Sequence, residues 1–304
     1  GAVFCAAGRI RFLDGGVHLL KLDAETGELL AETTLDQDEW GKDMHEMVEY
    51  LDMPPAMSDI LSSRGEHIFM RSQPFTLQGE PVPPEDFIGK DEFRHLFTPT
   101  GFLDKSWFHR TYWLYGTDYS SGWNRWYNAG RSVPAGRIMA LRGKHIYGFG
   151  RRQRDFRWAT PLDYHLFRTK KKPETVRREE GPTGGYINPP KQKLVYDWSR
   201  ELPFLAQAMV LAGDELFVAG PPRILDENEA WKHIMANQYR EKFREQQRLL
   251  DGSKGSTLWA VGASSGRKLG SRHLQALPVF DGMAAAYGGL YVALQDGRVV
   301  CLKD

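Results

Sequence analysis

The densest run of chemically capable side chains lies between Trp107 and Trp126. It holds Trp107, His109, Arg110, Tyr112, Trp113, Tyr115, Asp118, Tyr119, Trp123, Arg125 and Trp126. Exposed aromatic faces stack on sugar rings or other flat ligands, while arginine, aspartate and histidine hold hydroxyl groups. On that chemistry His109, Arg110, Trp113, Asp118, Trp123 and Trp126 form a candidate ligand-binding set. The same residue types also fill the gaps between packed sheets, with Arg110 held over a ring. The spacing does not alternate as a single strand with one wet face would. No catalytic residue is assigned.

Other patterns carry less chemistry. His67 and His145 fall at equivalent places in two repeats, just after a turn, and read as local strand residues rather than ligands. His95 and His109 flank a Thr-Pro-Thr-Gly turn, but neither has a carboxylate or cysteine at a zinc-site spacing. Asp36-Gln37-Asp38-Glu39-Trp40-Gly41 starts like a calcium loop, with Trp40 where a third oxygen ligand belongs; Glu46 and Glu49 follow nearby. Neither HExxH nor Gly-x-Ser-x-Gly occurs. The basic run Arg151, Arg152, Arg154, Arg157, Arg168, Lys170, Lys171, Lys172, Arg177 and Arg178 could hold an anionic polymer. Interleaved Asp155, Asp163, Glu174, Glu179 and Glu180 dilute it, so a solvated inserted loop is the plainer reading.

Composition narrows the partners. Forty basic residues against 39 acidic ones give a net charge of +1 over 304 residues, which supplies no global field for nucleic acid or an anionic membrane. No apolar run approaches the roughly 18 residues that span a bilayer, and no basic-then-apolar signal segment opens the chain. Cys5 and Cys301 stand at opposite ends, which excludes a CxxC site. Either a disulfide joins them or each is a small hydrophobe on a strand.

The elements that must position these residues are repeated. Ile60–Arg71, Met139–Gly150, Met209–Gly220 and Met283–Leu294 each read as an apolar run, a glycine turn and an alternating strand. That is a β-hairpin with Gly65, Gly143, Gly213 or Gly288 where positive φ is needed. The opening residues from Gly1 fit the second half of the same unit. The units recur at intervals of about seventy to eighty residues, longer than the ~40–45 of a four-stranded propeller blade, so each carries an insertion. The insertions are the aromatic stretch around 95–130, the basic stretch around 151–192 and a helix over 226–250. On that helix Trp231, Ile234, Met235, Tyr239 and Phe243 line one face, which either packs on the fold or docks a partner, and Gly252 stands just past the end. A second element pairs Leu22–Leu30 (LDAETGELL) with Val261–Leu269 (VGASSGRKL), each a polar turn between apolar strands, and Leu294–Val300 is a shorter relative.

These residues imply a fold class. Repeats of this kind stack as antiparallel four-stranded blades, because a lone sheet cannot cover both faces. The all-β expectation is a β-propeller of about five blades, roughly 1–35, 57–135, 136–203, 204–276 and 279–304. It forms a single region 1–304, incomplete at both ends and forming the C-terminal part of a longer propeller.

The run LLKLDAETGELL resembles the repeat of the pyrroloquinoline-quinone (PQQ) type propellers, an apolar strand, Asp, a two-residue spacer, Thr-Gly and another strand. Pro278–Leu302 resembles the closing blade of quinoprotein-like propellers. HLFTPTGFLDKSWFHRTYWLYG and GWNRWYNAG resemble a subgroup of large secreted PQQ-like proteins of planctomycete-type bacteria. Members usually end the repeat with a tryptophan that docks between blades; Ala31 or Glu32 and Gly270 or Ser271 take that place here, so docking is expected to differ. The resemblance implies export to the periplasm or cell exterior. A PQQ dehydrogenase would also need adjacent cysteines, a calcium held by Glu and Asn, and an Asp base. No Cys-Cys pair occurs, which disfavours PQQ and calcium as cofactors. The implied function is a non-catalytic binding or assembly scaffold. Its partners are upstream blades of the same protein or another chain, with carbohydrate as a further class. The alternative is a quinoprotein-type oxidoreductase or carbohydrate-active enzyme with its site near His109, Arg110 and Asp118.

Overall fold

The computed structural model describes residues 1–10, 13–36, 56–88, 90–98, 113–116, 130, 133–151, 164–177, 192–225, 233 and 235–303. The chain divides into two compact units, residues 1–129 with 133–135 and residues 130–132 with 136–304, where the repeats suggested one region. Antiparallel sheets build both.

The first unit opens with a sheet of β1 (Ala2–Ile10), β2 (Leu13–Asp23) and β3 (Leu29–Leu35). A second sheet joins β4 (Ser62–Arg64), β5 (His67–Met70) and β6 (Gln73–Thr76). After the short helix α1 (Pro84–Phe87) come β7 (His95–Phe97) and β8 (Trp113–Gly116), and β9 (Ala135–Gly136), where this unit ends, completes a sheet of order β7-β8-β9. The stretch 57–135, expected as one blade with an aromatic insertion, therefore holds two sheets, and residues around 95 and 113 are strands. Leu114 and Tyr115 are buried on opposite faces, so the period-2 pattern was hidden. Val17, Leu19 and Leu35 of the first sheet pack on Met70 and Phe75 of the second.

In the second unit β10 (Ile138–Arg142), β11 (His145–Arg151) and β12 (Tyr164–Lys170) lead, through the two-stranded excursion β13 (Thr175–Arg177) and β14 (Gln192–Leu194), to β15 (Trp198–Arg200). The sheet order is β10-β11-β12-β15. Next come β16 (Ala208–Ala212), β17 (Glu215–Gly220), helix α2 (Asn237–Leu250), β18 (Ser256–Gly262) and β19 (Lys268–Leu274), a sheet of order β16-β17-β18-β19. β20 (Pro278–Ala286), β21 (Gly289–Leu294) and β22 (Val299–Leu302) form the last. First strands adjoin: β10 lies against β16, and β16 against β20. The sheets stack face to face. Tyr147, Leu166 and Trp198 meet Met209, Leu216 and Val261, and Ala208, Ala219 and Leu258 meet Met283, Leu290 and Val292. The basic residues Arg168 and Lys170, expected in a loop, lie on β12, a strand buried on both faces except near its end.

The hairpin repeat is realised in detail. Arg64↔His67, Arg142↔His145, Ala212↔Glu215 and Ala286↔Gly289 each close a two-residue turn. Gly65, Gly143 and Gly213 take the first turn position with φ of 59°, 54° and 53°. In the last turn Tyr287 (φ 50°) precedes Gly288 (φ 70°), the sign pattern of a type I′ turn. The second repeat matches as closely. Asp23 N donates to Glu28 O and Gly27 N to Asp23 O; Gly262 N donates to Arg267 O and Gly266 N to Gly262 O. Thr26 Oγ1 and Ser265 Oγ each accept from the amide two residues on. Both strand pairs slip register at the same place, between Lys21 and Leu22 and between Ala260 and Val261.

The pairings make three sheets superimposable. Leu19↔Thr33 and Lys21↔Ala31, Leu166↔Arg200 and Arg168↔Trp198, Leu258↔Arg272 and Ala260↔Gly270 are equivalent. Trp198 thus occupies the position of Ala31 and Gly270. It donates its indole N–H to Ala263 O at 3.0 Å and lies against Gly266, where an added Cβ would come 2.6 Å from the indole. A docking tryptophan is present between these two sheets, which corrects the expectation drawn from Ala31 and Gly270. In two of these sheets flanking side chains reach a turn of the next sheet. Lys21 Nζ donates to Leu77 O and Thr33 Oγ1 to Gly79 O; Arg168 donates to Ser264 O and Arg200 to Gly266 O.

Gly266→Ala is expected to lower the urea midpoint more than Gly143→Ala. Each puts a Cβ at positive φ, at about 1–2 kcal/mol, but only at Gly266 must an indole also move; space around Gly143 is open.

Helix α2 starts at Asn237, later than the pattern suggested; residues 226–232 lie outside the described set. It ends in a Schellman motif: Gly252 (φ 91°) donates to Leu249 O and Ser253 to Arg248 O. Of the expected stripe, Met235 precedes the helix and is 85% exposed, Phe243 is 36% exposed and Tyr239 is partly buried, while Trp231 and Ile234 lie outside the described residues. Buried Leu249 and Gln246 hold the helix. Gln246 Oε1 accepts from Ile224 N and its Nε2 donates to Pro222 O. Among the described residues no helix is long and apolar enough to cross a membrane.

Candidate functional site

Of the six expected ligand-binding residues, His109, Arg110, Asp118, Trp123 and Trp126 lie outside the described residues. Trp113 is half-buried at the start of β8. Its strand pairs with β7, placing Gly116 opposite His95, and His95 belongs to the most buried polar cluster of the first unit.

That cluster is built from backbone geometry outward. Arg71 follows β5 with φ 53°, a conformation that costs a non-glycine residue energy and persists only when its surroundings hold it. Its guanidinium turns inward, donating through Nε to Thr98 O at 3.2 Å and through Nη1 to Met57 Sδ at 2.8 Å. Asp59 accepts from Thr98 Oγ1 at 2.9 Å and from Ile60 N at 2.7 Å. Burial lowers the Arg71 pKa to about 10, and the nearby Asp59 carboxylate opposes the fall. The His95 ring stacks on Phe69 at 3.8 Å, with Nδ1 2.6 Å from Phe93 O and Nε2 2.7 Å from Arg71 O. Burial, the larger effect, pulls its pKa down to about 4 against these two carbonyls.

The sign of the pH effect follows. The folded state keeps His95 neutral to about pH 4, whereas an unfolded histidine titrates near 6.5. The unfolded chain binds more protons between those values, so stability is complete above about 6.5 and falls with acidification, by about 3 kcal/mol across the window. Melting curves from pH 7.5 to 4.5 should show a smaller acid loss in His95→Asn than in wild type. Equal slopes would refute the assignment.

Chemically, the cluster's polar groups are spent on one another and on backbone carbonyls, so it locks loops to strands. Sequence reasoning missed Asp59, Arg71 and Thr98, which no motif marks. In the second unit Asp197 Oδ2 lies 3.1 Å from Arg168 Nε and 3.6 Å from His145 Nε2. Burial first, then Arg168, lowers the His145 pKa. His67 and His145 open strands β5 and β11, and His67 tilts against Phe93 at 4.9 Å. Among the described residues no group of histidine, cysteine and carboxylate side chains is arranged to hold a metal. Residues 37–40, with Glu46 and Glu49, lie outside the described set. Both cysteines are free thiols, and Cys301 is exposed, not a buried hydrophobe.

A third feature lies between the sheets β16-β17-β18-β19 and β20-β21-β22, an open cleft of about 490 Å³ floored by Phe217, Leu258, Leu290 and Leu302. Arg272, Lys303 and Glu215 supply its charged lining.

The class these features define is a mostly β protein of successive antiparallel sheets. No family profile matches the sequence, and no curated protein matches it. Among solved structures, BamB from Moraxella catarrhalis aligns over 96% of this chain and 66% of its own, at 9% identity and a TM-score of 0.41. The chain therefore spans slightly less than two-thirds of that structure's length.

Proposed function

We propose that this chain is a β-propeller of the PQQ-like type that acts as a non-catalytic binding and assembly scaffold in an exported bacterial protein, with other polypeptide segments as partners. The observation that supports the propeller reading is the repeated sheet with one register. Lys21 and Thr33, then Arg168 and Arg200, reach the carbonyls of the next sheet's turn from equivalent positions. Stacking of that kind, with first strands side by side, generates a radial array. What supports the scaffold reading is that the buried cluster of Asp59, Arg71, Thr98 and His95 braces the fold.

Titration with PQQ and calcium tests the non-catalytic part. The expected result is no quinone absorbance retained after gel filtration and no dye reduction with alcohols or sugars; stoichiometric quinone with turnover would overturn it. Cross-linking in a periplasmic extract of a host bearing the gene tests the scaffold part. It should return a discrete protein partner rather than the chain alone. For carbohydrate, a glycan-array signal no higher than that of a Trp113→Ala/Trp123→Ala variant removes that partner class.

A further inference from the structure

We propose that Arg168 and His145 form an acid-released strap between the sheets β10-β11-β12-β15 and β16-β17-β18-β19. The strap is independent of the scaffold reading and rests on how one guanidinium is shared. Side chains of the former sheet hold the turn 263–266 of the latter. The Trp198 indole donates to Ala263 O at 3.0 Å, Arg168 Nη1 to Ser264 O at 3.1 Å and Arg200 Nε to Gly266 O at 3.2 Å. Arg168 is the tie with a titratable neighbour. Its Nη2 lies 2.8 Å from His145 Nε2 and its Nε 3.1 Å from Asp197 Oδ2, and the guanidinium lies over the Tyr147 ring at 5.9 Å.

A guanidinium has donors and no acceptor. The contact with His145 is therefore a hydrogen bond only while Nε2 keeps its lone pair, which requires the neutral ring with its proton on Nδ1. A second proton turns Nε2 into a donor aimed at another donor and sets a positive charge beside Arg168. Asp197 Oδ2 stands 3.6 Å from Nε2 and is also the carboxylate paired with Arg168. Protonated His145 thus repels the guanidinium and competes for its counter-ion. Burial first, then Arg168, holds the His145 pKa below the usual 6.5; Asp197 opposes them, and Lys170 of β12 and Arg142 of β10 add to the lowering. Lys144 adjoins His145 in the hairpin turn, while Asp214 and Glu174 pair with Arg142 and Lys170. The strap is therefore closed at neutral pH and opens as pH falls through the lowered value. The device is particular to this pair of sheets. Ala2 and Glu215 stand at the position of His145 in the equivalent sheets. Lys21, in the place of Arg168, reaches Leu77 O with Ala2 where the histidine would stand.

The test is an NMR titration of the nitrogen-15 labelled 304-residue chain from about pH 8 to about pH 5. At the upper end the His145 ring should carry its proton on Nδ1 and none on Nε2. As the ring takes its second proton, the Ser265 amide, which shares a peptide bond with Ser264 O, should shift with the same midpoint, below 6.5. The Gln78 amide reports on Leu77 O in the same way and should not follow that midpoint. Loss of the Arg168 tie should speed exchange of the Trp198 indole N–H, corrected for its intrinsic pH dependence, by about fivefold. His145→Gln keeps an acceptor that does not titrate and should abolish the Ser265 shift. Arg168→Met should show the acid-state Ser265 shift and indole exchange already at the upper end of the range. A neutral ring protonated on Nε2, a Ser265 midpoint unlike that of His145, or an undiminished Ser265 titration in folded His145→Gln each overturns the inference. The first two readings use the wild-type chain and decide the matter even where a variant fails to fold.

Discussion

Trp198→Ala is expected to destabilise the second unit by about 3–5 kcal/mol, the range for deleting a buried aromatic, and to lower its urea midpoint accordingly. Three losses combine. The buried indole leaves a hole between two sheets. The N–H bond to Ala263 O disappears. The positive-φ turn at Gly266 loses the ring that covers it. Trp198→Phe keeps most of the packing and leaves the carbonyl without its donor, so about 1–2 kcal/mol is expected. Trp259→Ala, on a half-buried tryptophan that meets Phe204 edge-on, is the control and should cost less than Trp198→Ala. A Trp198→Ala midpoint within experimental error of wild type would show that the sheets do not depend on this contact. The propeller reading would lose its strongest internal support.

Asp59→Ala should be comparably severe in the first unit, about 3–5 kcal/mol, because it strands a buried cation. Arg71 is 4% exposed and Asp59 6%. With the carboxylate gone, the guanidinium loses the charge that opposes the effect of its burial. The double variant Asp59→Ala/Arg71→Met removes the charge as well and should recover at least half of the loss, since an apolar replacement of a buried pair is often near neutral. Chemical denaturation of the two singles and the double completes the cycle. Additive losses would mean that the two residues act independently and that the cluster is not held by their charges.

Much of this fold was readable from residue types alone. Glycine is the residue that adopts positive φ at little cost, so Gly65, Gly143, Gly213 and Gly288 announced their hairpins, and all four turns close there. LDAETG and VGASSG announced a shared turn because Asp, Thr and Ser bond their own backbone, and the two loops share two backbone bonds and the Thr26 or Ser265 hydroxyl bond, while Asp23 adds bonds that Gly262 cannot make. Gly252 announced the end of α2 by the same logic. Each of these signals is local, complete within about six residues.

What depends on distant partners was not readable. Trp198 went unrecognised because the excursion β13–β14 separates it from β12, so its equivalence to Gly270 exists only as the pairing Arg168↔Trp198. Strands β8 and β12 passed for insertions because burial on both faces erases alternation, the main strand signal. The helix face could not be chosen in advance. The apolar stripe does not show that Gln246, a polar residue, is buried and bonds the segment before the helix through Ile224 N and Pro222 O. Composition and spacing therefore determined the turns, the repeat and the all-β class. Tertiary structure alone decided which sheet faces fill one another and which side chains cross between sheets. Those outcomes depend on the summed volume and charge that two non-adjacent segments bring to one place, and no local pattern contains that sum.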